Sequence, residues 1–97
     1  MLKYVMIPRP GDREFALENV AHFSTLTKEE LVARYNRQVE IGIVGVHAQA
    51  VMLVALRHVM LDVFGDSPVK FDDNVLISLS GKARIVDGKL EYEEPEE

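Results

Sequence analysis

Three histidines are the first candidates for chemistry in this chain of 97 residues. They stand at positions 22, 47 and 58. On one continuous helix His47 and His58 would share a face, but they would lie about 16 Å apart along the axis, too far to bind one metal ion. The chain has no H-E-x-x-H motif and no close set of histidine and carboxylate. The sequence therefore predicts structural histidines and no metal site.

The other residue types that could do chemistry are equally scattered. The neighbouring carboxylates Glu29–Glu30 and Asp72–Asp73 have no base or nucleophile in a recognisable relation to them. No glycine-rich loop is of the phosphate-binding kind, and the arginines are too few for a nucleic-acid face. There is no cysteine, which excludes disulfides and thiolate metal sites. We therefore expect no catalytic residues, no cofactor and no direct nucleic-acid binding.

Charge is unevenly distributed along the chain. Of the net charge of −5, residues 1–61 contribute +1 and residues 62–97 contribute −6, and the chain ends as E-Y-E-E-P-E-E. This distribution disfavours attraction to phosphates or anionic lipid near the C-terminus. The acidic tail, about residues 93–97, has two interpretations: it keeps a small protein soluble, or it contacts a basic partner surface. The second interpretation makes Glu91, Glu93 and Glu94 candidate partner-binding residues.

The N-terminal part predicts one strand and one helix. Lys3–Ile7 has the pattern of a short strand, which the following proline- and glycine-rich residues 8–11 end. Asp12 is then placed to cap a helix over residues 13–23. Because the first residues lack a continuous apolar stretch, they do not resemble a signal peptide, and a cytoplasmic location is expected.

A long helix, about residues 28–64, is the next predicted element. The T-K-E-E segment that starts at Thr27 is a capping box, and the next clear helix stop is Gly65. Unbroken, this helix would be about 55 Å long, whereas a domain of this size has a radius of gyration of only about 13 Å. Either the helix bends or breaks at Gly42 and Gly45, or it projects and packs against another chain.

The middle of this predicted helix, Ile41–Leu56, has sixteen residues without a formal charge. A stretch that is apolar on all sides is buried on several sides. It falls short of the ~18 to 20 residues that span a bilayer, so membrane insertion is not expected. It is either a crowded internal core or a face for self-association or a partner.

The last third of the chain predicts antiparallel strands. The segments N-V-L-I-S-L, K-A-R-I-V and K-L-E-Y-E alternate apolar and polar residues and are separated by Ser80–Gly81 and Asp87–Gly88. Asp-Gly between alternating segments is a strong hairpin signal. We therefore predict a two- or three-strand antiparallel meander and an α+β fold. The length predicts a single domain, residues 1–97.

The segment that joins the helical and the strand regions contains Gly65, Asp66, Ser67, Pro68 and Val69. Glycine after a helix, followed closely by proline, is explained structurally as a helix stop. Its position also makes it a candidate hinge, because X-Pro bonds interconvert slowly between cis and trans. An exposed Pro68 would be a plausible substrate or docking point for a prolyl isomerase.

The 65–70 segment, G-D-S-P-V-K, in a small, acidic chain without cysteine resembles the anti-RecBCD proteins of Salmonella-type lambdoid phages. The resemblance implies a non-enzymatic protein that binds the host RecBCD helicase-nuclease through its RecC subunit. It further implies that phage DNA ends are protected, that phage recombination is favoured and that the protein works in the host cytoplasm. A host peptidyl-prolyl cis-trans isomerase acting at Pro68 is the second implied partner.

Two other functions are compatible with the residues themselves. The first is a homo-oligomeric structural or regulatory module that is held together by the apolar Ile41–Leu56 segment. The second is an acidic DNA mimic that competes for a basic channel, although the confinement of the acid to the last third weakens it.

Overall fold

The chain contains one strand, three helices and then four strands in the computed structural model, which describes residues 3–5, 7–72 and 76–93. The α+β fold class is as predicted. The radius of gyration is 12.7 Å. The elements are β1 (Lys3–Val5), α1 (Asp12–Phe23), α2 (Lys28–Ile41), α3 (His47–Phe64), β2 (Val69–Asp72), β3 (Leu76–Leu79), β4 (Ala83–Val86) and β5 (Lys89–Tyr92).

The strands form two separate antiparallel sheets. The first has the order β1-β3-β2, so the N-terminal strand pairs with β3 across the length of the chain. The second is the β4–β5 hairpin, whose turn at Asp87 and Gly88 has the positive φ values of 52° and 79° that a type I′ turn requires. The two-strand form of the predicted meander is therefore observed at this hairpin.

The Ser80–Gly81 segment is not the hairpin turn that a three-strand meander would need. It carries the chain from the first sheet to the second, because β3 already pairs with β1 on one side and β2 on the other. Gly81 is required here for a different reason. A Cβ atom on it would lie 2.0 Å from the backbone oxygen of Glu93, which passes directly over it.

The predicted long helix breaks completely after Ile41. Gly42 ends α2 with φ 78° and ψ 173°, and Gly45 has φ 80°. Residues with a side chain rarely adopt such positive φ values. The Gln49 side chain secures the break: its Oε1 accepts from Val44 N at 3.0 Å, and its Nε2 donates to Gly42 O at 2.9 Å. The break folds α3 back into the domain. Of the two alternatives for the long helix, the broken helix is therefore observed and the projecting helix is not.

The two predicted helix starts have different outcomes. The capping box of α2 is confirmed: Glu30 N donates to Thr27 Oγ1 at 3.1 Å, and Thr27 N donates to Glu30 Oε1 at 3.0 Å. Asp12, however, is the first residue of α1 and not its N-cap, which is Gly11. Its carboxylate instead accepts from Arg9 N at 2.7 Å and contacts α3. A glycine with a positive φ of 89° takes the cap position because the entering loop turns sharply there.

Helix α3 is the centre of the core. Seven of its residues are buried, and they meet buried residues of α2 and the strands; these seven are Ala50, Val51, Leu53, Ala55, Leu56, Val59 and Met60. Of the sixteen residues of the apolar segment Ile41–Leu56, seven are buried and five are exposed, so the segment supplies part of the core and part of the surface. Among the described residues, α3 is the one helix whose length and composition would suffice to cross a membrane, a criterion that core helices of soluble proteins also meet.

Candidate partner-binding surface

The three histidines lie in different surroundings. His22 and His58 are exposed on α1 and α3, whereas His47 is mostly buried at the start of α3. Within the described residues no group of three or more histidine, cysteine, aspartate and glutamate side chains could hold a metal ion. The histidine that makes a specific contact is His47.

The contact between Asp12 and His47 joins the starts of α1 and α3. His47 Nε2 lies 2.9 Å from both carboxylate oxygens of Asp12, and the side chains are only 13% (His47) and 18% (Asp12) exposed. The Arg9 amide and then the His47 ring hold the pKa of Asp12 below its ordinary value of 3.8. The other ring nitrogen, Nδ1, is buried without a hydrogen-bond partner among the described residues. The pair is therefore a clamp between two elements that are 35 residues apart.

The two loops that lead into the clamped helices α1 and α3 both expose aliphatic side chains. The loop before α1 carries Ile7, which is 69% exposed, and the loop before α3 carries Val44 and Val46, which are 60% and 53% exposed. Ile41, the last residue of α2, is also exposed. We name these four residues the loop-pair patch. Because Gln49 and the Asp12–His47 clamp fix the loops, the patch is held on rigid backbone.

The structure buries the Ser67–Val69 part of the candidate hinge, so Pro68 lacks the exposure that would make it a substrate or docking point for a prolyl isomerase. Ser67 and Val69 are buried, and Pro68 is among the fully buried side chains. The Ser67–Pro68 peptide bond is trans. Gly65 ends α3 with φ 75°, which confirms the helix-stop interpretation. Proline is buried here because β2 begins directly after it and packs against α3.

Several hydrogen bonds fix this turn. Ser67 Oγ accepts from Val69 N at 3.1 Å, and Pro68 O accepts from Ser80 N at 3.0 Å. Asp66 accepts from the Tyr92 hydroxyl at 2.5 Å. Burial raises the pKa of Tyr92, and the hydrogen bond to Asp66 raises it further. An isomerase could therefore reach Pro68 only if this turn opened.

The acidic candidates at the C-terminus are divided between different roles. Glu91 is exposed on β5 and pairs with Arg84 at 3.3 Å, which offsets part of its charge. Glu93 is exposed, but its backbone N–H donates to Lys82 O at 2.8 Å and continues the hairpin. Glu94 and the rest of the predicted tail lie outside the described residues. Glu93 is therefore part of the fold.

Sequence reasoning missed the Asp12–His47 clamp and the loop-pair patch. The two clamp residues are far apart in the sequence, and only the parallel placement of two helix starts brings them together. The patch could not be predicted because Val44 and Val46 belong to an apolar segment that also supplies core residues such as Val51 and Leu53. The one local indication of the patch was the pair of glycines that flank Val44. A helix break at these glycines leaves the side chains next to it exposed.

Comparison with known proteins identifies no relative of this chain. No known protein family, curated protein or solved structure matches it. A functional proposal therefore depends on the surfaces described above and on the resemblance of the 65–70 segment.

Proposed function

We propose that this protein works by binding another protein and catalyses no reaction of its own, and that its partner is the host RecBCD helicase-nuclease. The resemblance of the G-D-S-P-V-K segment supplies the identity of the partner and of the RecC subunit as the contact. The loop-pair patch supplies the physical means of binding. By occupying RecBCD, the protein would let phage DNA ends survive in the host cytoplasm and enter phage recombination.

The observation that carries the proposal is the exposure of aliphatic side chains on fixed loops. Single exposed apolar residues are ordinary, but several on adjoining loops are typical of protein interaction sites. Ile7, Val44 and Val46 are each more than half exposed, and the two loops that carry them are joined by the Asp12–His47 clamp. Rigid loops lose little conformational entropy on binding, which favours affinity.

A binding assay with purified RecBCD tests the proposal. We expect wild-type protein to bind the complex and reduce its nuclease activity on linear duplex DNA. The double substitution Val44→Ser and Val46→Ser should weaken binding about tenfold or more, because it removes apolar area from the patch. The matched control is Val86→Ser, an exposed valine on the β4–β5 hairpin. It should bind like the wild type.

Two results would contradict the proposal. Absence of binding by the wild type would exclude RecBCD as the partner. Self-association in light scattering that the double substitution abolishes, without any RecBCD binding, would instead identify the patch as a face between copies of this chain. The homo-oligomeric alternative would then be correct.

A further inference from the structure

A groove of about 230 Å³ lies between α1 and α3, and none of the four residues of the loop-pair patch lines it. Its lining comes from one face of each helix. The lining residues are Arg13, Ala16, Leu17 and Val20 from α1, and Val54, Ala55 and His58 from α3. We name this feature the α1–α3 groove.

Small side chains account for the groove. Ala16 and Ala55 leave space where larger residues would fill the gap between two packed helices, and Ala55 is only 1% exposed. Leu17, by contrast, is 56% exposed and forms an unpaired apolar wall. Pockets for small molecules usually measure about 300 to 1,000 Å³ and enclose most of the ligand. This smaller groove better fits one or two side chains of a larger partner.

The polar groups that line the groove are both basic residue types. Arg13 and His58 are exposed, and neither makes a hydrogen bond or ion pair with the part of the chain that the structure describes. Asp62, one helical turn beyond His58, is not part of the lining. Arg13 supplies a positive charge and the His58 ring can donate a hydrogen bond, so an apolar floor beside them is complementary to an apolar side chain with a carboxylate next to it.

We propose that the α1–α3 groove binds an acidic amphipathic helix of a partner protein. Helices bind such grooves through apolar residues spaced three and four apart, and acidic residues next to them would face Arg13 and His58. Leu61 follows His58 by three residues on the same face of α3 and is partly exposed, so it extends the apolar surface by a turn. The inference rests on the proposed function only in taking the occupant to be a protein.

The first test needs no natural partner. Isotope-labelled full-length protein is titrated with a synthetic amphipathic helix of about 20 residues, long enough to be helical, that carries leucines on one face and glutamates beside them. A second peptide has lysine at every glutamate position. We expect chemical-shift changes at Leu17, Val54 and His58 with the acidic peptide, and at least about tenfold weaker binding of the basic one. No change at the groove, or equal binding of both peptides, would overturn the proposal.

Charge reversal sharpens the test. Arg13→Glu should weaken binding of the acidic peptide about tenfold and improve binding of the basic peptide. The matched control is Arg34→Glu, an exposed arginine on α2, which should change neither affinity. If both reversals have the same effect, the attraction comes from overall charge and the groove is not the site.

The outcome is separable from that of the proposed function. Loss of RecBCD binding in the Val44 and Val46 variant tests the loop-pair patch and leaves the peptide titration unaffected. If RecBCD does not bind at all but the acidic peptide binds the groove, the groove proposal stands and the partner is a different protein. Self-association that Arg13→Glu abolishes would identify a second copy as the occupant and would overturn the proposal.

Discussion

The side of α2 that faces the C-terminal hairpin and the end of the molecule that carries the loop-pair patch are stabilised very differently. At the hairpin side, the fully buried Tyr35 side chain shares its single hydroxyl proton between Ser80 O, 2.6 Å away, and Gly81 O, 2.9 Å away. Asn36 Nδ2 donates to Ala83 O at 2.9 Å, and its Oδ1 accepts from Ala83 N at 2.7 Å. At the loop-pair end, the Asp12–His47 clamp and the Gln49 side chain hold two loops whose aliphatic side chains are exposed.

The hairpin side stabilises the fold, whereas the loop-pair end leaves apolar surface available for binding. The Asn36 carboxamide occupies both backbone groups of Ala83 in the way a neighbouring strand would, so it protects an open edge of the hairpin. Polar groups at the hairpin side are therefore satisfied internally. At the other end, apolar area remains uncovered on backbone that is held in place, which is the arrangement a partner can use.

The largest effect is expected at Gly81, where the hairpin side is packed most tightly. In Gly81→Ala the new methyl group would overlap the Glu93 backbone oxygen, which cannot move without pulling β5 away from β4. We expect the free energy of unfolding to fall by about 3 kcal/mol or more, measured by urea denaturation. Lys89→Ala, on the exposed face of the hairpin, is the control. An unchanged midpoint for Gly81→Ala would show that the hairpin is not closely packed there.

A smaller loss is expected for Asn36→Ala. The substitution leaves the N–H and C=O of Ala83 without their partners in a partly buried position. The expected loss is about 1 to 3 kcal/mol of unfolding free energy. The neighbouring Arg37→Ala removes an exposed pair with Glu40 and should change stability far less, because solvent and salt screen exposed ion pairs. Equal effects of the two substitutions would refute the edge-protecting role of Asn36.

Local signals in the sequence predicted the elements well where a single residue type determines the backbone. The capping box at Thr27, the helix stop at Gly65 and the hairpin at Asp87–Gly88 are all found where they were predicted. Each depends on interactions within a few residues, which a sequence pattern contains in full.

Contacts between distant residues were not predictable in the same way. The pairing of β1 with β3, the Asn36–Ala83 bonds and the Asp12–His47 clamp join residues that are far apart in the sequence. The burial of Pro68 also depends on distant partners, since Ser80 and Tyr92 hold its turn. An isolated G-D-S-P sequence indicates a turn but not whether that turn is exposed.

The Pro68→Ala variant tests whether the buried turn stabilises the fold, as the contacts at the hairpin side do. Loss of buried ring atoms and a more flexible unfolded chain should together lower the unfolding free energy by about 2 kcal/mol. If the trans turn is the binding form, RecBCD affinity should remain unchanged.

An isomerase that acts at Pro68 should bind Tyr92→Phe better than wild type, because that variant releases Asp66. Failure of both wild type and Tyr92→Phe to bind the isomerase would exclude the turn as its site.

The Asp12–His47 clamp should have a pH signature. Because the folded pKa of Asp12 is below its ordinary value of 3.8, its ionised form contributes stability above that pH. That contribution should disappear as pH falls below 3.8 and through the folded pKa. We therefore expect the melting temperatures of wild type and Asp12→Asn to differ at pH 6 and to converge at low pH. A difference that stays constant down to pH 2 would mean that the clamp does not depend on the carboxylate charge.

The smallest effect on stability is expected from removal of residues 94–97. Glu93 is kept, since its N–H bonds to Lys82 and its backbone covers Gly81. The truncation removes three of the sixteen acidic side chains, so unfolding free energy should change by no more than about 0.5 kcal/mol. If the tail attracts a basic partner surface, association with RecBCD should be slower than for wild type at low salt, and the two rates should converge as salt screens the charges. Equal association rates at low salt would show that the tail only keeps the protein soluble. The exposed apolar surfaces alone would then bind the partner.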